Sequence, residues 1–402
     1  MSDAAHSLRP DRASIPPGNG WGRLPAAGGI ALVVGLIGSL ALGRADLKQF
    51  YFSWLVAFLY FLSIALGALF FVLIHYISKA GWSTAVRRIA ENAMATLPAF
   101  AVLVLPIALG MSELFIWTDA DLVAKDPALH SKAPYLDTRF FLVRLVIYVV
   151  VWFAMSVYFG RASRRQDATG DHDITRRLQM AAAPSLFVFA LSITFASIDW
   201  IMSLDPHWYS TIFGLYFFAG AVVAAHAFIA IVTVGLHRSG LVTGVFTTDH
   251  FHDLGKLLHG FTIFWTYIGF SQFFLIWYAN IPEETIWFRH RLAGSWKTVT
   301  IALAIGHFVI PFFAIMARSV KRNPALLRLG AIWMLAMHYL DLHWLVMPNI
   351  HEHGFAPTAL DLTTWVAVGG AFLAVFGFNL TRAALIPIRD PRLPESLTYE
   401  NA

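Results

Sequence analysis

The chain has 402 residues, of which 58% are hydrophobic and only 13% are charged. Soluble domains are about one quarter charged, so this composition argues against an ordinary soluble protein and favours a helical membrane protein with several spans. The absence of cysteine excludes disulfides, cysteine-ligated zinc and iron–sulfur clusters held by the chain's own thiolates.

The chain begins with a polar segment, residues 1–24, which contains proline and glycine and is expected to be disordered. Ten apolar segments follow, each long enough to cross ~30 Å of hydrocarbon at about 1.5 Å per residue. They are residues 25–43, 50–78, 89–110, 139–160, 180–202, 209–237, 256–280, 295–319, 325–348 and 358–380. The predicted fold is therefore all-α, with a polytopic transmembrane domain over residues 25–386 and a polar tail over residues 387–402.

Basic residues are distributed unequally between the two sides of the predicted membrane domain. Of the 29 lysine and arginine residues, 20 fall on the side of the N-terminus and eight on the other side. Positively charged loops are retained in the cytoplasm, so both termini are predicted to be cytoplasmic.

An internal similarity links the ends of the fifth and ninth segments. DWIMSLDPHW begins at Asp199 and DLHWLVMPNIH begins at Asp341, and each contains Asp, Trp, Met, Pro and His in that order. A parallel repeat of two four-helix bundles, residues 50–202 and 209–348, would produce this similarity. Chance similarity between tryptophan-rich helix ends would also produce it, so both interpretations stay open.

Ionisable residues lie at membrane depth mainly in segments six to nine. His226, His307 and His338 are all placed near the midplane, and Asp341 lies one helical turn from His338. A charge at the bilayer centre costs ~3 kcal/mol, so such groups usually face a bundle interior. Imidazole exchanges protons near neutral pH, and the set therefore predicts a proton path, with simple interhelical hydrogen bonds as the structural alternative.

The predicted path has Asp341 and His338 at its centre, with His226 and His307 opposite them. Its other members are His343 slightly higher, Asp253 and His259 at the cytoplasmic entry, and Asp199 at the periplasmic end. A second candidate site is a quinone-binding or periplasmic mouth formed by Asp205, His207, Trp208 and Tyr209, because aromatic walls suit a quinone ring. Tryptophan and tyrosine also belong to the membrane interface for unrelated reasons.

Haem and metal binding are alternative interpretations of the histidines. A b-type haem arrangement needs histidine pairs stacked at two depths, and the sequence shows no clear second layer. The His250/His252 and His351/His353 patterns have metal-ligand spacing, but loop histidines are more often solvated. We expect no metal ligand and no catalytic residue in the chain.

Four stretches of the sequence resemble one known family. They are FTIFWTYIGFSQFFLIWYANIPEETIWF (261–288), SIDWIMSLDPHWYSTIFG (197–214), HSKAPYLDTRFFLVR (130–144) and MHYLDLHWLVMP (337–348). Together they resemble the second quinone-binding membrane subunit of alternative complex III, a bacterial quinol:cytochrome c oxidoreductase. That family is related to the polysulfide-reductase/NrfD membrane proteins.

The resemblance implies two four-helix bundles with two flanking helices, in a subunit of the bacterial cytoplasmic membrane without its own redox cofactor. Such a subunit would contribute quinone or quinol binding, a proton-translocation path, or both, and would not be catalytic alone. Its implied partners are a sister NrfD-like membrane subunit and periplasmic multihaem cytochrome and iron–sulfur subunits. The alternatives are a secondary transporter or ion channel with a polar midplane site, and a purely structural anchoring subunit.

Overall fold

A computed structural model of the chain describes residues 13–401, a range that contains helices and loops but no strand. Ten helices in this range are long and apolar enough to cross a membrane. They are α1 Gly20–Gly43, α2 Leu47–Ile77, α3 Thr84–Leu109, α4 Thr138–Thr169, α5 Asp173–Leu204, α6 Phe213–Arg238, α7 Thr248–Ala279, α8 Trp296–Met316, α9 Pro324–Asn349 and α10 Ala359–Arg382. The predicted all-α class with ten spans is confirmed, and the protein has the architecture of a multi-pass membrane protein.

Three helices extend well beyond their predicted bounds because hydropathy does not detect their polar end turns: α4 runs on to Thr169, α5 begins at Asp173 and α7 begins at Thr248. Helix α7 begins at Thr248, where Thr247 and His250 form a reciprocal capping box. Helix α4 begins after Asp137, whose side chain accepts a hydrogen bond from the backbone N–H of Phe140 at 2.9 Å. It ends at Gly170, whose positive φ of 72° is favourable for glycine.

The helices form two four-membered groups with two flanking helices. Helices α2–α5 pack in a first bundle and α6–α9 in a second, with α2 against α6, α5 against α6, and α9 against α2 at their junction. At the α2–α6 contact, a Cβ at Gly67 would lie 2.1 Å from the carbonyl oxygen of Ala221. Helices α1 and α10 pack on each other, and a Cβ at Gly28 would lie 2.3 Å from the nitrogen of Ala374. Glycine therefore permits the closest helix–helix approaches, as is common in membrane bundles.

Two spans, α3 and α8, are not continuous α-helices. Helix α3 is divided into Thr84–Met94, Leu97–Leu103 and Leu105–Leu109, with Pro98 and Pro106 just inside the second and third parts. Helix α8 contains a π-helical turn, Ala304–Val309, which holds His307. Single π turns inside α-helices are frequently found at functional sites.

Both ends of the described chain lie on one face of the molecule, named the terminal face. Ala13 is buried and its carbonyl oxygen accepts a hydrogen bond from Leu385 N at 2.7 Å, while Trp21 Nε1 donates to Ser239 Oγ at 2.9 Å. The segment 1–24 is thus packed against the protein from residue 13 onward, which differs from the predicted disorder. The difference arises because the chain after α10 contacts this segment, as in the hydrogen bond from Leu385 to Ala13. Residues 1–12 lie outside the described range.

The tail after α10 is tied to the first bundle by a buried ion pair and a hydrogen bond at the terminal face. Arg87 of α3 pairs with Asp390 of the tail, and Arg389 of the tail donates to the carbonyl of Ala168 in α4 at 2.7 Å. The tail also contains a short helix, Leu393–Leu397. These contacts anchor residues 387–401 against the ends of α3 and α4.

Candidate functional site

The second bundle encloses a carboxyl group that no basic side chain neutralises. Asp341 of α9 is 2% exposed, and it accepts a hydrogen bond from the hydroxyl of Tyr216 of α6 at 2.5 Å. Among residues 13–401, no lysine, arginine or histidine forms an ion pair with this carboxyl. A buried carboxyl with only neutral partners is expensive to keep charged, so gaining or losing a proton is energetically significant at this position.

The indole ring of Trp265 contacts both the Tyr216 ring and a buried imidazole, that of His307. The indole ring of Trp265 of α7 packs on Tyr216 with ring centroids 5.5 Å apart, and on His307 of α8 at 3.8 Å. His307 is fully buried, and neither of its nitrogens has a hydrogen-bond partner in the described chain. Unpaired buried polar atoms are uncommon, and an unseen water or a transferable proton is the usual explanation.

His338 completes the group from the next turn of α9. Its Nε2 lies 2.8 Å from Ser63 Oγ of α2, and the Ser63 hydroxyl donates to the carbonyl of Tyr60 at 2.7 Å. Because that hydroxyl proton is already used, Ser63 must accept from His338, which places the imidazole proton on Nε2. His338 Nδ1 then carries a free lone pair. We call Ser63, Tyr216, Trp265, His307, His338 and Asp341 the Asp341 cluster.

His226 lies apart from the Asp341 cluster, toward the terminal face. A Cβ at Gly220 of α6 would lie 3.2 Å from His338, whereas His226 is six residues further along, about 9 Å at 1.5 Å per residue. His226 Nδ1 donates to the carbonyl of Val222 at 2.8 Å, and its ring stacks on Phe261. The prediction that three histidines share one depth is wrong for His226. That prediction placed each histidine by its relative position along its own span. Because the spans differ in length, equal relative positions do not give equal depths.

A cavity of about 420 Å³ opens from the terminal face toward His226, and we call it the terminal-face cavity. Its polar lining comes from the ends of α2, α6 and α7 and from the tail. These residues are His75, His226, Asp253, Lys256 and Tyr399, with Phe70 and Phe261 among the apolar lining. The cavity therefore brings the exposed Lys256 together with two buried groups, Asp253 and His226.

Asp253 at the cavity entrance is held by two partners. Lys256 Nζ lies 2.6 Å from its carboxylate, and Asn401 Nδ2 of the tail donates to it at 2.5 Å. Burial and the neighbouring carboxylate of Asp253 raise the pKa of Tyr399 to about 12, so this phenol stays neutral near physiological pH. The predicted entry residue Asp253 thus lies at a solvent-accessible opening.

The structure does not join the terminal-face cavity to the Asp341 cluster by a chain of side-chain hydrogen bonds within the described residues. Phe71 and Phe261 pack on His226 with ring centroids 5.4 and 5.2 Å away. His226 Nε2 has no partner in the described chain. Proton movement between the two sites would need water in this apolar interval.

Two other predicted path residues face different neighbours. His259 of α7 packs on Phe312 of α8, outside the terminal-face cavity. His343 is 2% exposed and lies among Tyr339, Trp296 and Phe355, and in the described chain neither of its nitrogens has a partner. His343 lies two positions after Asp341, so the two side chains leave α9 in different directions.

Asp199 lies in the first bundle and is fully paired. Arg144 of α4 donates to its two carboxylate oxygens at 2.8 and 2.9 Å, and the hydroxyl of Tyr148 donates at 2.7 Å. Asp137 is nearer to Arg144 in sequence but caps α4, and the bidentate geometry assigns Arg144 to Asp199. Such pairs are strong and directional, and they hold Asp199 in the first bundle, apart from the second-bundle histidines.

The four residues of the predicted quinone mouth do not share one site in the structure. Trp208 and Tyr209 line a largely apolar cavity of about 350 Å³ on the face opposite the termini, together with Lys132. His207 instead turns to Asp126, with Nε2 2.6 Å from its carboxylate, and its Nδ1 lies 3.9 Å from Asp205. Burial lowers the pKa of Lys132, whose ammonium group donates to the carbonyl of Pro206.

Metal-binding geometry is absent from the part of the chain that the structure describes, where no three His, Asp or Glu side chains gather around one point. The two His-x-His patterns are used in other ways. His250 takes part in the capping box of α7 and its Nε2 lies 3.1 Å from Ser396 Oγ, while His351 Nε2 lies 2.7 Å from Gln49 Oε1.

Neither models of known protein families nor curated protein sequences match the chain. Inferences about function therefore rest on the sequence motifs and on the geometry of the polar interior.

Sequence reasoning missed several residues that define these sites. Tyr216, Trp265 and Ser63 contact the predicted residues, but their sequence neighbourhoods look like ordinary apolar helix faces. Asp361 of α10 was also missed, and it accepts from Ser53 Oγ at 2.6 Å. For Tyr216, the sequence offers one clue. The residue lies near the outer end of α6, at about the height of Asp341 on α9.

Proposed function

We propose that the chain is an integral membrane subunit of a bacterial quinol:cytochrome c oxidoreductase, in which the second bundle carries a proton path. It has no redox cofactor of its own and contributes to proton translocation, quinone binding, or both. The four sequence stretches that resemble a quinone-binding membrane subunit of alternative complex III support this proposal, as does the arrangement of two bundles with two flanking helices. The membrane is the bacterial cytoplasmic membrane, with both termini in the cytoplasm.

The observation that carries the proton-path proposal is the environment of Asp341. Its carboxyl is buried, lacks a cationic partner among the described residues, and shares the interior of the second bundle with His307 and His338. Intramembrane ionisable groups in such surroundings are typical of proton relays. The free lone pair on His338 Nδ1 and one of the two unpaired nitrogens of His307 supply acceptor positions in the same bundle interior.

The terminal-face cavity is the proposed cytoplasmic entry. It places the Asp253–Lys256 pair at an opening and His226 at its inner end. Water in the apolar interval beyond His226 would complete the connection to the Asp341 cluster. On the periplasmic side, the cavity beside Trp208 and Tyr209 is the proposed quinone-binding mouth, because its walls are largely apolar and include a few polar groups.

In this proposal the partners are a sister NrfD-like membrane subunit and periplasmic subunits that carry multihaem cytochrome and iron–sulfur centres. The chain would then move protons while electrons pass through those partners. Quinol and cytochrome c, as electron donor and acceptor, would be bound wholly or partly by other subunits.

The test uses the intact complex in proteoliposomes and compares wild type with Asp341→Asn. Quinol oxidation and external acidification are recorded together, with Asp341→Glu as the conservative control. The proposal expects Asp341→Asn to keep turnover while losing proton release beyond that of quinol itself, and Asp341→Glu to restore part of it. If Asp341→Asn keeps both turnover and full acidification, Asp341 is a structural residue and the proton path is elsewhere or absent. Failure of the chain to co-purify with multihaem cytochromes would instead favour a separate transporter.

A further inference from the structure

Three arginines surround a groove on the terminal face that belongs to neither of the sites described above. Arg161 and Arg165 lie one turn apart on α4, and Arg177 lies on the facing turn of α5. The groove between them has a volume of about 460 Å³. All three side chains are exposed, so each guanidinium is accessible from the membrane surface or from solvent.

Within the described residues, no acidic side chain pairs with these arginines, not even Asp173, which lies one turn before Arg177 on α5. Asp167 pairs with Arg88 in the bundle interior, and Asp171 accepts from the backbone N–H of Asp173 at 2.9 Å. Within the described residues, no ion pair involves Arg161, Arg165 or Arg177. Three like charges in one groove repel each other, so an anion between them would lower the electrostatic energy.

The position along the helices indicates what kind of anion fits. The apolar run of α4 ends at Gly160, and Arg161 is the first charged residue after it, at the level where hydrocarbon gives way to headgroups. On the membrane side of the arginines, the groove continues along Ala154, Val157 and Tyr158 of α4 and Leu178 of α5. An acidic headgroup at one end and an apolar wall at the other match the two halves of a phospholipid.

We propose that this groove binds an anionic phospholipid, with its phosphate between Arg161, Arg165 and Arg177 and an acyl chain along the α4–α5 wall. Arginine forks bind phosphate oxygens in pairs, and basic grooves between helices on the cytoplasmic side are suited to anionic headgroups. The proposal is independent of the proton path and does not use any residue assigned to it.

The test measures lipid retention on the purified complex that contains this chain. The complex is delipidated in detergent, incubated with phosphatidylglycerol, cardiolipin or phosphatidylcholine, and analysed by native mass spectrometry. The variant is Arg161→Gln/Arg165→Gln/Arg177→Gln. The matched control is Arg23→Gln/Arg176→Gln/Arg238→Gln, which removes the same charge from exposed arginines on the same face, outside the groove.

We expect wild type and control to retain an anionic lipid that the groove variant retains about 100-fold less well, since each arginine near an anionic headgroup is worth roughly a fivefold change in affinity. Phosphatidylcholine should not be retained by any of the three. If the control variant loses the anionic lipid to the same extent, the effect is one of general charge and the proposed lipid site is overturned. Displacement of the lipid by millimolar inorganic phosphate would show a free-phosphate site instead.

If the groove variant loses a neighbouring protein of the complex while lipid retention is unchanged, the groove binds an acidic protein segment, and the proposal is overturned. The melting temperature of each variant in detergent shows whether the fold persists. Because the three arginines are exposed and form no ion pair in the described structure, all variants should fold like wild type.

Discussion

The two bundles each bury an aspartate near the end of their last helix, and they treat its charge in opposite ways. In the first bundle, Asp199 receives two hydrogen bonds from Arg144 and one from Tyr148. In the second bundle, Asp341 receives one from Tyr216. A bidentate guanidinium holds a carboxylate in its charged form, whereas a phenol hydroxyl leaves the carboxyl free to change protonation. The comparison supports a structural role for Asp199 and is consistent with the proposed proton-carrying role of Asp341.

The largest effect should follow from breaking the first-bundle pair. Arg144→Gln leaves Asp199 buried without its cation, and removing one partner of a buried pair costs about 3–5 kcal/mol in the free energy of unfolding. Reversible unfolding of the purified protein in mixed micelles measures this change. The double variant Arg144→Met/Asp199→Leu should recover most of the loss, because no unpaired charge remains. A single variant as stable as wild type would show that Asp199 does not need Arg144.

A matched pair of tyrosine variants should separate the two aspartates by function. Tyr148→Phe and Tyr216→Phe each remove one hydrogen bond to a carboxyl, and each should lower the free energy of unfolding by about 1 kcal/mol. Only Tyr216→Phe should change proton release per quinol oxidised, since Asp199 keeps its guanidinium. Both quantities are measured on the reconstituted complex. Equal proton release in the two variants would remove the functional distinction between the bundles.

A smaller effect is expected at the entrance of the terminal-face cavity. Asp253→Asn removes a carboxylate that lies near solvent, where water and Lys256 offer other routes, so proton uptake should slow without stopping. Asp249→Asn is the control, because Asp249 lies on the same helix but pairs with Arg322 outside the cavity. The rate of pH change inside proteoliposomes after a quinol pulse distinguishes them. Equal rates in both variants would place the entry elsewhere.

The smallest effect concerns the exposed pair on the opposite face. The hydrogen bond from His207 is the main cause that lowers the pKa of Asp126. A lowered carboxyl pKa adds stability that is present above its ordinary value and is lost as the pH falls through the lowered value. The melting temperature of Asp126→Asn should therefore lie slightly below wild type at neutral pH and match it in strong acid. A difference that does not change with pH would exclude this pair as its cause.

The number and type of helices could be predicted from hydropathy, because lipid requires long, internally hydrogen-bonded segments. The neighbourhood of His307, His338 and Asp341 could also be predicted, since charged groups in membrane spans face the interior. Partners on other helices could not. Arg144 reaches Asp199 across 55 residues, and Ser63 reaches His338 across 275. The depth of His226 was missed because the relative heights of helices depend on packing and on extended, capped ends.

The central claim is that Asp341 exchanges a proton during turnover while Asp199 stays ionised. Infrared difference spectroscopy of the reconstituted complex, oxidised against quinol-reduced, detects the C=O stretch of a protonated carboxylic acid directly. The account predicts a turnover-dependent carboxylic acid band that disappears in Asp341→Asn and persists in Arg144→Met/Asp199→Leu. A band that survives Asp341→Asn, or no carboxylic acid band at all, would contradict the proton-carrying role of Asp341.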